Sequence, residues 1–466
     1  MLFNSLAFLV FLAVVLALYR ALPHRAQNAM LLGASYVFYG WWDWRFLSLI
    51  WFSTLLDFVA AQLIAGSGRP GVRRGALLTS IVVQLSLLGF FKYWNFFVDS
   101  LDLALSPFGL TAAGLHLDLV LPIGISFYTF QTMAYTIDVY RRDIEPVRNL
   151  LDFALFICFF PQLVAGPIER ASNLVPQVQN PRRVTRDDLH QGMTLFIWGL
   201  CKKVFVADNL ATIVDPVYTL GAQPTGLEVL IATFAFTFQV YADFSAYSDI
   251  ARGTANMLGF HLMENFQIPF FSRDHGEWWR RWHISLSTWL RDYLYFPLGG
   301  NRRSEPRVAF NLFVTMFLSG LWHGSRGTFL AFGSYMGIVL VLSRLYRQRF
   351  PARDDQARWP GAIVSVCLFA LGTVFFRGQT IQQCLHFLAL LATDVRWEPV
   401  ALGSLVMLVG YGGPLLAFDF LHWHYKTDTF VLRWPFPARV AACVAALHAI
   451  FIWGRSSSLD FVYFQF

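Results

Sequence analysis

The sequence predicts an all-α polytopic membrane protein, and composition and apolar runs carry this prediction. Of the 466 residues, 56% are hydrophobic and only 14% are charged, and the mean hydropathy is +0.49. A soluble domain carries about 25% charged residues. Apolar runs long enough to cross ~30 Å of hydrocarbon recur along most of the chain, which predicts about 11 or 12 transmembrane helices.

The predicted spans follow one another along the whole chain. They lie at 3–20, 28–43, 46–65, 76–98, 119–139, 190–212, 227–247, 308–322, 327–345, 360–376, 399–420 and 437–455. The apolar segment 150–168 is interrupted by Pro161, Gly166 and Pro167, which favours a broken, re-entrant segment. The longest polar stretch, about 250–307, is predicted to be an interfacial helical segment. We expect residues 1–466 to form a single membrane domain.

Arginine-rich loops predict the orientation of the spans. Arg344, Arg347, Arg349, Arg353 and Arg358 crowd one short loop, and a second basic loop spans 69–74. Both loops should be cytoplasmic, because Lys and Arg are in excess on that side. The segment 250–307 then also faces the cytoplasm. The net charge of +7 is explained in this way without a nucleic-acid partner.

The segment 272–298 concentrates Trp, Arg and a histidine, and it is predicted to form one helix with two different faces. Helical spacing places Trp278, Trp282, Ser285 and Trp289 on one side, and Arg280, His283, Ser287 and Arg291 on another. An interfacial helix that only anchors the protein would explain the Trp and Arg residues. It would not explain His283, which favours a reaction centre.

His323 follows the apolar run 308–322 and lies between Trp322 and Gly324. A lone histidine in a membrane helix can be a packing residue. A neutral imidazole can also take a proton from a hydroxyl at cellular pH. Burial would keep it neutral. The neighbouring Trp322 and the basic segment upstream favour the second interpretation.

Two further segments carry polar side chains inside apolar surroundings. Asp243, Ser245, Tyr247 and Asp249 interrupt the end of the span 227–247, and Asp138 lies in a helix opened by Pro122 and Gly124. These residues either mark a helix end in water or line a tunnel and orient the histidines. No His or Cys pair has a metal-ligand spacing, so neither a metal site nor a bound cofactor is expected.

Several long motifs occur together in a characteristic order: LPIGISFYTFQTMAYTIDVYR, FFPQLVAGPI, FQVYADFSAYSDIA, EWWRRWHISLSTWLRDYLYFPLGGNR and LWHG. This set resembles the membrane-bound O-acyltransferase family, and most closely its bacterial alginate O-acetyltransferase branch. The family's WHG histidine maps onto His323 and its WRRWHISLS histidine onto His283. One departure is the stretch Phe332–Gly337, where Tyr335 and Met336 replace the Trp and His of the alginate branch.

The resemblance implies a helical ring around a transmembrane tunnel in a bacterial inner membrane. It implies an acyl donor, acetyl-CoA, from the cytoplasm and an acceptor hydroxyl from the periplasm. That hydroxyl belongs to a sugar or to an acetyl-accepting or polysaccharide-modifying protein. His323 would be the base and His283 its assistant, with Trp282, Ser285 and Trp322 around them. Candidates for binding the donor's phosphates are Arg280, Arg281, Arg291, Asn301 and Arg302.

The resemblance leaves the acceptor open. An exopolysaccharide, in particular alginate, is the expected substrate, with cellulose, peptidoglycan and teichoic acid as alternatives within the family. From a different class, a transporter or channel would also explain buried polar residues in a many-helix protein. The oligomeric state does not follow from the sequence.

Overall fold

The computed structural model describes residues 1–350, 359–455 and 461. Every regular element in these residues is helical, which confirms the all-α prediction. The described residues form two compact units, one of residues 1–189 with 254–263, and the other of residues 190–253 with 264–466. Arg353 and Arg358 of the predicted basic loop lie outside the described residues. The assignment of the chain to a single domain stays a prediction.

The first unit contains eight α-helices in chain order. They are α1 (Leu6–Ala21), α2 (His24–Asp43), α3 (Leu47–Gly66), α4 (Pro70–Leu88), α5 (Trp94–Leu105), α6 (Ile125–Arg141), α7 (Leu150–Cys158) and α8 (Ala171–Gln179). Helices α3, α4 and α6 pack together around the buried Asp57 carboxylate. Its two oxygens accept hydrogen bonds from Ser80 Oγ at 2.6 Å and Gln84 Nε2 at 2.7 Å, which satisfies a polar group that is costly at this depth.

The predicted break in 150–168 is present in this unit. Helix α7 ends at Cys158, and turns follow as far as Gly166. The turns pass so close to Gly124 that a Cβ there would lie 2.7 Å from the Leu163 carbonyl oxygen. Gly124 also has φ +78°, which glycine adopts without strain. Glycine is therefore required at Gly124, the position where the sequence predicted that this helix begins.

The second unit contains the remaining helices, except for the first turn of α9 and the last turn of α11, which belong to the first unit. They are α9 (Arg186–Cys201), α10 (Asp208–Tyr218), α11 (Gly226–Met257), α12 (His275–Arg281), α13 (Ile284–Leu290), α14 (Glu305–His323), α15 (Gly327–Arg349), α16 (Trp359–Arg377), α17 (Ile381–Thr393), α18 (Pro399–Tyr425) and α19 (Phe436–His448). Helices α14 and α15 make the most extensive contact, and α16 packs on α15. This three-helix group carries His323.

Seven helical stretches in the described residues are long and apolar enough to cross a membrane, which is fewer than the predicted 11 or 12 spans. The predicted spans 28–43 and 46–65 correspond to α2 and α3, which both lie in the continuous stretch His24–Gly66. Helices α1, α6 and α9 have 16, 17 and 16 residues, near the lower end of the ~17–25 residues that hydrocarbon thickness requires. The prediction of many apolar helices is confirmed, and the count of 11 or 12 spans stays a prediction.

Two predicted helix boundaries are wrong. Residues 239–249 lie inside α11, a helix of 32 residues, and not at the end of a span. The predicted single helix over 272–298 is broken between α12 and α13, at Trp282 and His283. Helical spacing misses the break because the Trp side chains continue the same period across it, and all of Trp278, Trp282 and Trp289 are buried.

Candidate active site

His283 forms the sharp turn between α12 and α13. Its backbone has φ +44° and ψ +54°, the left-handed region, which costs a residue with a Cβ about 1–3 kcal/mol. The imidazole caps α13, because Nδ1 accepts the Leu286 backbone N–H at 3.4 Å. The predicted position of His283 on an Arg-bearing face is wrong, since this conformation turns the side chain inward and leaves it 1% exposed.

Asn265 stabilises this turn, and sequence analysis missed it. The residue is 0% exposed. Its backbone oxygen accepts the Ile284 N–H at 2.9 Å, and its side-chain Oδ1 accepts the Ser285 N–H at 3.2 Å. Its Nδ2 donates to Ser248 Oγ of α11 at 3.0 Å. Asn265 therefore holds the residues that follow His283 against α11. It stands in the NFQIPFF stretch, but no local pattern indicates this contact.

The protonation state of His283 follows from its surroundings. Burial lowers the pKa of His283 to about 3, because desolvation disfavours the charged ring. The ring is therefore neutral at physiological pH. Because Nδ1 accepts a hydrogen bond, the single ring proton is on Nε2. His283 can therefore donate a hydrogen bond through Nε2 rather than act as a cation.

His323 is the last residue of α14 and is 8% exposed. The two imidazole centroids lie 6.5 Å apart. The Trp322 ring lies beside both, at 5.8 Å from His283 and 5.1 Å from His323. The structure thus brings together the two predicted catalytic histidines and Trp322, although 39 positions of sequence separate His283 from Trp322.

Glycines in α14 and α15 determine the position of His323. A Cβ at Gly320 would overlap the Phe329 carbonyl oxygen and would lie 2.7 Å from Gly333 Cα. A Cβ at Gly333 would lie 2.6 Å from the Met316 carbonyl oxygen. The two backbones therefore touch one turn before His323. Close approach of this kind is possible only with small residues at the crossing.

The His323 ring lines a cavity of about 20 Å³. This is room for roughly one water-sized group. The rest of the wall is mainly aromatic and comes from α11, α12, α15, α16 and the turn at His283. It includes Phe244, Trp279, Trp282, Phe332, Phe369 and Phe376, with Thr373 as a polar contributor. His323 therefore borders a small, mainly apolar cavity, a setting that limits the access of bulk water to an acid–base group.

The predicted polar set on α11 has lysine partners that sequence analysis did not single out. Lys203 Nζ contacts Asp243 at 2.8 Å and Asp208 at 2.9 Å. Lys202 Nζ contacts Asp249 at 2.6 Å and Ser245 Oγ at 2.8 Å. Both lysines are buried. Two adjacent lysines within a predicted span are rare enough to have indicated this network from sequence.

This network fixes α11, and α11 in turn contacts the histidines. Phe244, next to Asp243, packs edge-on against the His283 ring at 4.6 Å. Tyr247 is buried against Phe461 at 4.9 Å. Ser285 is bound through its N–H to Asn265. Asp138 belongs to α6 of the first unit.

The predicted donor-binding residues differ in their surroundings. Arg281 is paired with Glu277 at 2.7 Å, and Arg291 is paired with Asp292 at 2.8 Å. Arg280 is exposed at the end of α12, three residues before His283. Asn301 and Arg302 are exposed in the turn that precedes α14. Arg280 and Arg302 are therefore more accessible to an anion than Arg281.

Comparison with known proteins identifies the family. The family description "MBOAT, membrane-bound O-acyltransferase family" matches residues 36–382. The chain is 42% identical to "Probable alginate O-acetylase AlgI" of Pseudomonas putida, over 85% of this chain and 81% of that protein. It is 44% identical to the protein of the same name in Pseudomonas aeruginosa, over 82% of this chain and 73% of that protein.

A third relative carries a different name. The chain is 33% identical to "Peptidoglycan O-acetyltransferase" of Helicobacter pylori, over 83% of this chain and 79% of that protein. The two histidines in the family-like motifs, the many apolar helices and these matches agree with one another. The chain belongs to the membrane-bound O-acyltransferase family and is a multi-pass membrane acyltransferase.

Proposed function

We propose that this protein transfers an acetyl group from cytoplasmic acetyl-CoA to a hydroxyl on the periplasmic side, for O-acetylation of alginate. The observation that carries the proposal is the pair of imidazoles, whose centroids lie 6.5 Å apart, with His323 on the wall of a mainly aromatic cavity. A carbonyl group placed between the rings can reach both of them. A transporter has no need of this pair, and membership of an acyltransferase family also opposes that alternative.

The reaction divides between the two histidines. His323 takes the proton of the acceptor hydroxyl as the oxygen attacks the thioester carbonyl carbon. The Nε2–H of His283 donates a hydrogen bond to the carbonyl oxygen as negative charge develops there. The C–S bond then breaks, the proton passes from His323 to the departing sulfur, and an ester and CoA thiol result.

Identity to the relatives supports alginate as the polysaccharide. Identity to two proteins named alginate O-acetylase is 42% and 44%, against 33% for one named peptidoglycan O-acetyltransferase. The departure at Tyr335 and Met336 concerns the contact of α15 with α16. Tyr335 donates to the Leu368 carbonyl at 3.0 Å, and Met336 is buried beside Gly372. Neither residue lines the cavity, so the departure leaves the proposed chemistry intact.

The location and partners follow from the same proposal. The protein would lie in a bacterial inner membrane with the turn before α14 facing the cytoplasm. Arg280, Asn301 and Arg302 would bind the donor's phosphates there, because guanidinium groups suit phosphate oxygens. The acceptor would be the polysaccharide itself or a periplasmic protein that accepts acetyl and passes it on.

Proteoliposomes with defined sidedness test the proposal. Acetyl-CoA is supplied on one side, and unacetylated alginate, cellulose or peptidoglycan fragments on the other. We expect release of CoA thiol and an added acetyl mass on alginate alone. Acetyl ester on peptidoglycan fragments instead would contradict the assignment to alginate. Absence of thiol release with every acceptor, in the presence of periplasmic extract, would contradict acetyl-CoA as donor.

A further inference from the structure

His275 is a buried histidine that the reaction does not use. It is the first residue of α12 and is 2% exposed. Its Nε2 accepts the indole N–H of Trp279 at 3.1 Å, one helical turn later. The two rings are close to perpendicular, at 86°, with centroids 6.0 Å apart. The contact therefore fixes the Trp279 indole by a directional bond.

A histidine at this position has a cost. Burial lowers the pKa of His275 to about 4, so the ring is neutral at physiological pH. Because Nε2 accepts, the ring proton is on Nδ1. No described residue forms a hydrogen bond with Nδ1. A buried polar atom without a partner costs about 1–3 kcal/mol, which leucine of similar size would avoid. Folding stability alone therefore does not explain histidine here.

The bonded tryptophan forms part of the reaction cavity. Trp279 lines it together with His323 and Trp282. The Trp279 ring packs against Phe369, another residue of the cavity wall, with centroids 6.2 Å apart. Without its N–H bond, the indole could adopt other rotamers at low cost. The cavity is only about 20 Å³, so any rotation of this ring changes its size substantially.

We propose that His275 is a positioning residue that fixes the Trp279 indole and thereby limits the cavity beside His323 to the methyl end of an acetyl group. This inference rests on the proposed acetyl transfer. An apolar pocket discriminates one extra methylene by about 10–200-fold when its wall is rigid. A wall whose side chains change rotamer discriminates less between acyl groups that differ by one methylene.

The test is the ratio of kcat/KM for acetyl-CoA to that for propionyl-CoA, measured as thiol release by purified protein. We expect the wild-type ratio to be at least about 10 and to fall about fivefold in His275→Leu, the loss of one hydrogen bond. His275→Gln, which keeps a neutral acceptor, should retain a ratio closer to wild type. In a Trp279→Phe background, His275→Leu should change nothing further, because no N–H remains to be bound.

Two results would overturn the inference. One is a ratio in His275→Leu within twofold of wild type. The other is an equal loss of kcat/KM for acetyl-CoA and propionyl-CoA together with a lower Tm, which a purely structural role predicts. We expect the Tm of His275→Leu to stay within about 2 °C of the wild-type value.

A donor-independent measurement separates this inference from the proposed function. With 15N-labelled Trp, the indole resonance that disappears in Trp279→Phe should shift in His275→Leu. If the wild-type protein released no thiol, the proposed donor would be contradicted. If the Trp279 indole resonance did not shift in His275→Leu, the role of His275 would be contradicted.

Discussion

At the scale of single residues, His283 combines an unusual backbone with a functional side chain. Glycine accepts φ +44° without strain and lacks the imidazole, whereas a β-branched residue does not accept it. We predict that His283→Gly keeps the fold and loses acyl transfer about 100-fold or more, the typical effect of removing a donor to a developing oxyanion. His283→Val should fold poorly. Thiol release measures the loss of acyl transfer, and Tm in detergent measures the loss of stability. Full activity in His283→Gly would show that His283 only caps α13.

The neutral state of His283 also predicts a dependence of stability on pH. Burial lowers its pKa to about 3, against about 6.5 in the unfolded chain. Below pH 6.5 the unfolded chain binds a proton that the folded protein excludes, so stability falls as pH decreases toward 3. At pH 5 this difference is about 2 kcal/mol. The Tm of wild type relative to His283→Gly should therefore fall between pH 7.5 and pH 5, and a constant difference would contradict a neutral buried ring.

Sequence indicated the candidate catalytic residues, whose roles stay predictions, but not the residues that contact them. His323, His283 and Trp322 stand in recognisable motifs, and the structure places their rings together. Asn265 and His275 do not show in any local pattern, because their roles depend on contacts formed only in the folded chain. The adjacent charges of Lys202 and Lys203 in an apolar run indicate from sequence that both lysines have buried partners. The sequence does not show that these partners lie on α10 and α11.

At the scale of elements, the crossing of α14 and α15 determines where His323 lies. We predict that Gly320→Ala forces the backbones apart, because the added Cβ would overlap the Phe329 carbonyl oxygen. The variant should lose stability by about 1–3 kcal/mol, as overpacked cores do, and should lose activity further by displacing His323.

Gly413→Ala on α18 is the matched control, since no described atom lies within 4 Å of its added Cβ. This control should be neutral or slightly stabilised. Equal Tm and equal thiol release for the two variants would show that the close approach at Gly320 is not required.

The buried lysine pairs hold α11 to the π-helical turn Lys202–Ala207 and to α10. We predict that Lys203→Met, which removes the ammonium between Asp208 and Asp243, costs about 3–5 kcal/mol, because two buried carboxylates lose their counter-charge. The double variant Lys203→Met with Asp243→Asn should recover part of that loss. Thermal unfolding in detergent measures both, and equal Tm for wild type and Lys203→Met would contradict a stabilising network.

Helix boundaries illustrate what periodicity cannot predict. The Trp period continues across the break between α12 and α13, so sequence reads one helix where the structure has two. The break depends on hydrogen bonds that the backbone N–H groups of Ile284 and Ser285 donate to Asn265, about 20 positions earlier in the chain. Conversely, the acids in 239–249 suggested a helix end, whereas their burial with lysines allows α11 to continue to Met257. Tertiary partners determine both boundaries.

At the scale of the whole molecule, apolar helices bury the two candidate catalytic histidines, which are 1% and 8% exposed. Seven stretches of the described residues have the length and composition of membrane spans, and the second unit alone contains both histidines and the cavity. Composition was sufficient to predict this class of protein.

The most direct test of the account is acyl transfer by purified His323→Ala, measured as CoA thiol release from acetyl-CoA in proteoliposomes. His448→Ala is the control, because His448 is exposed on α19 and does not line the cavity. We predict that His323→Ala inserts normally and releases thiol at least about 1,000-fold more slowly than wild type, the loss expected for a general base, while His448→Ala keeps wild-type rates. Wild-type release by folded His323→Ala would contradict the account.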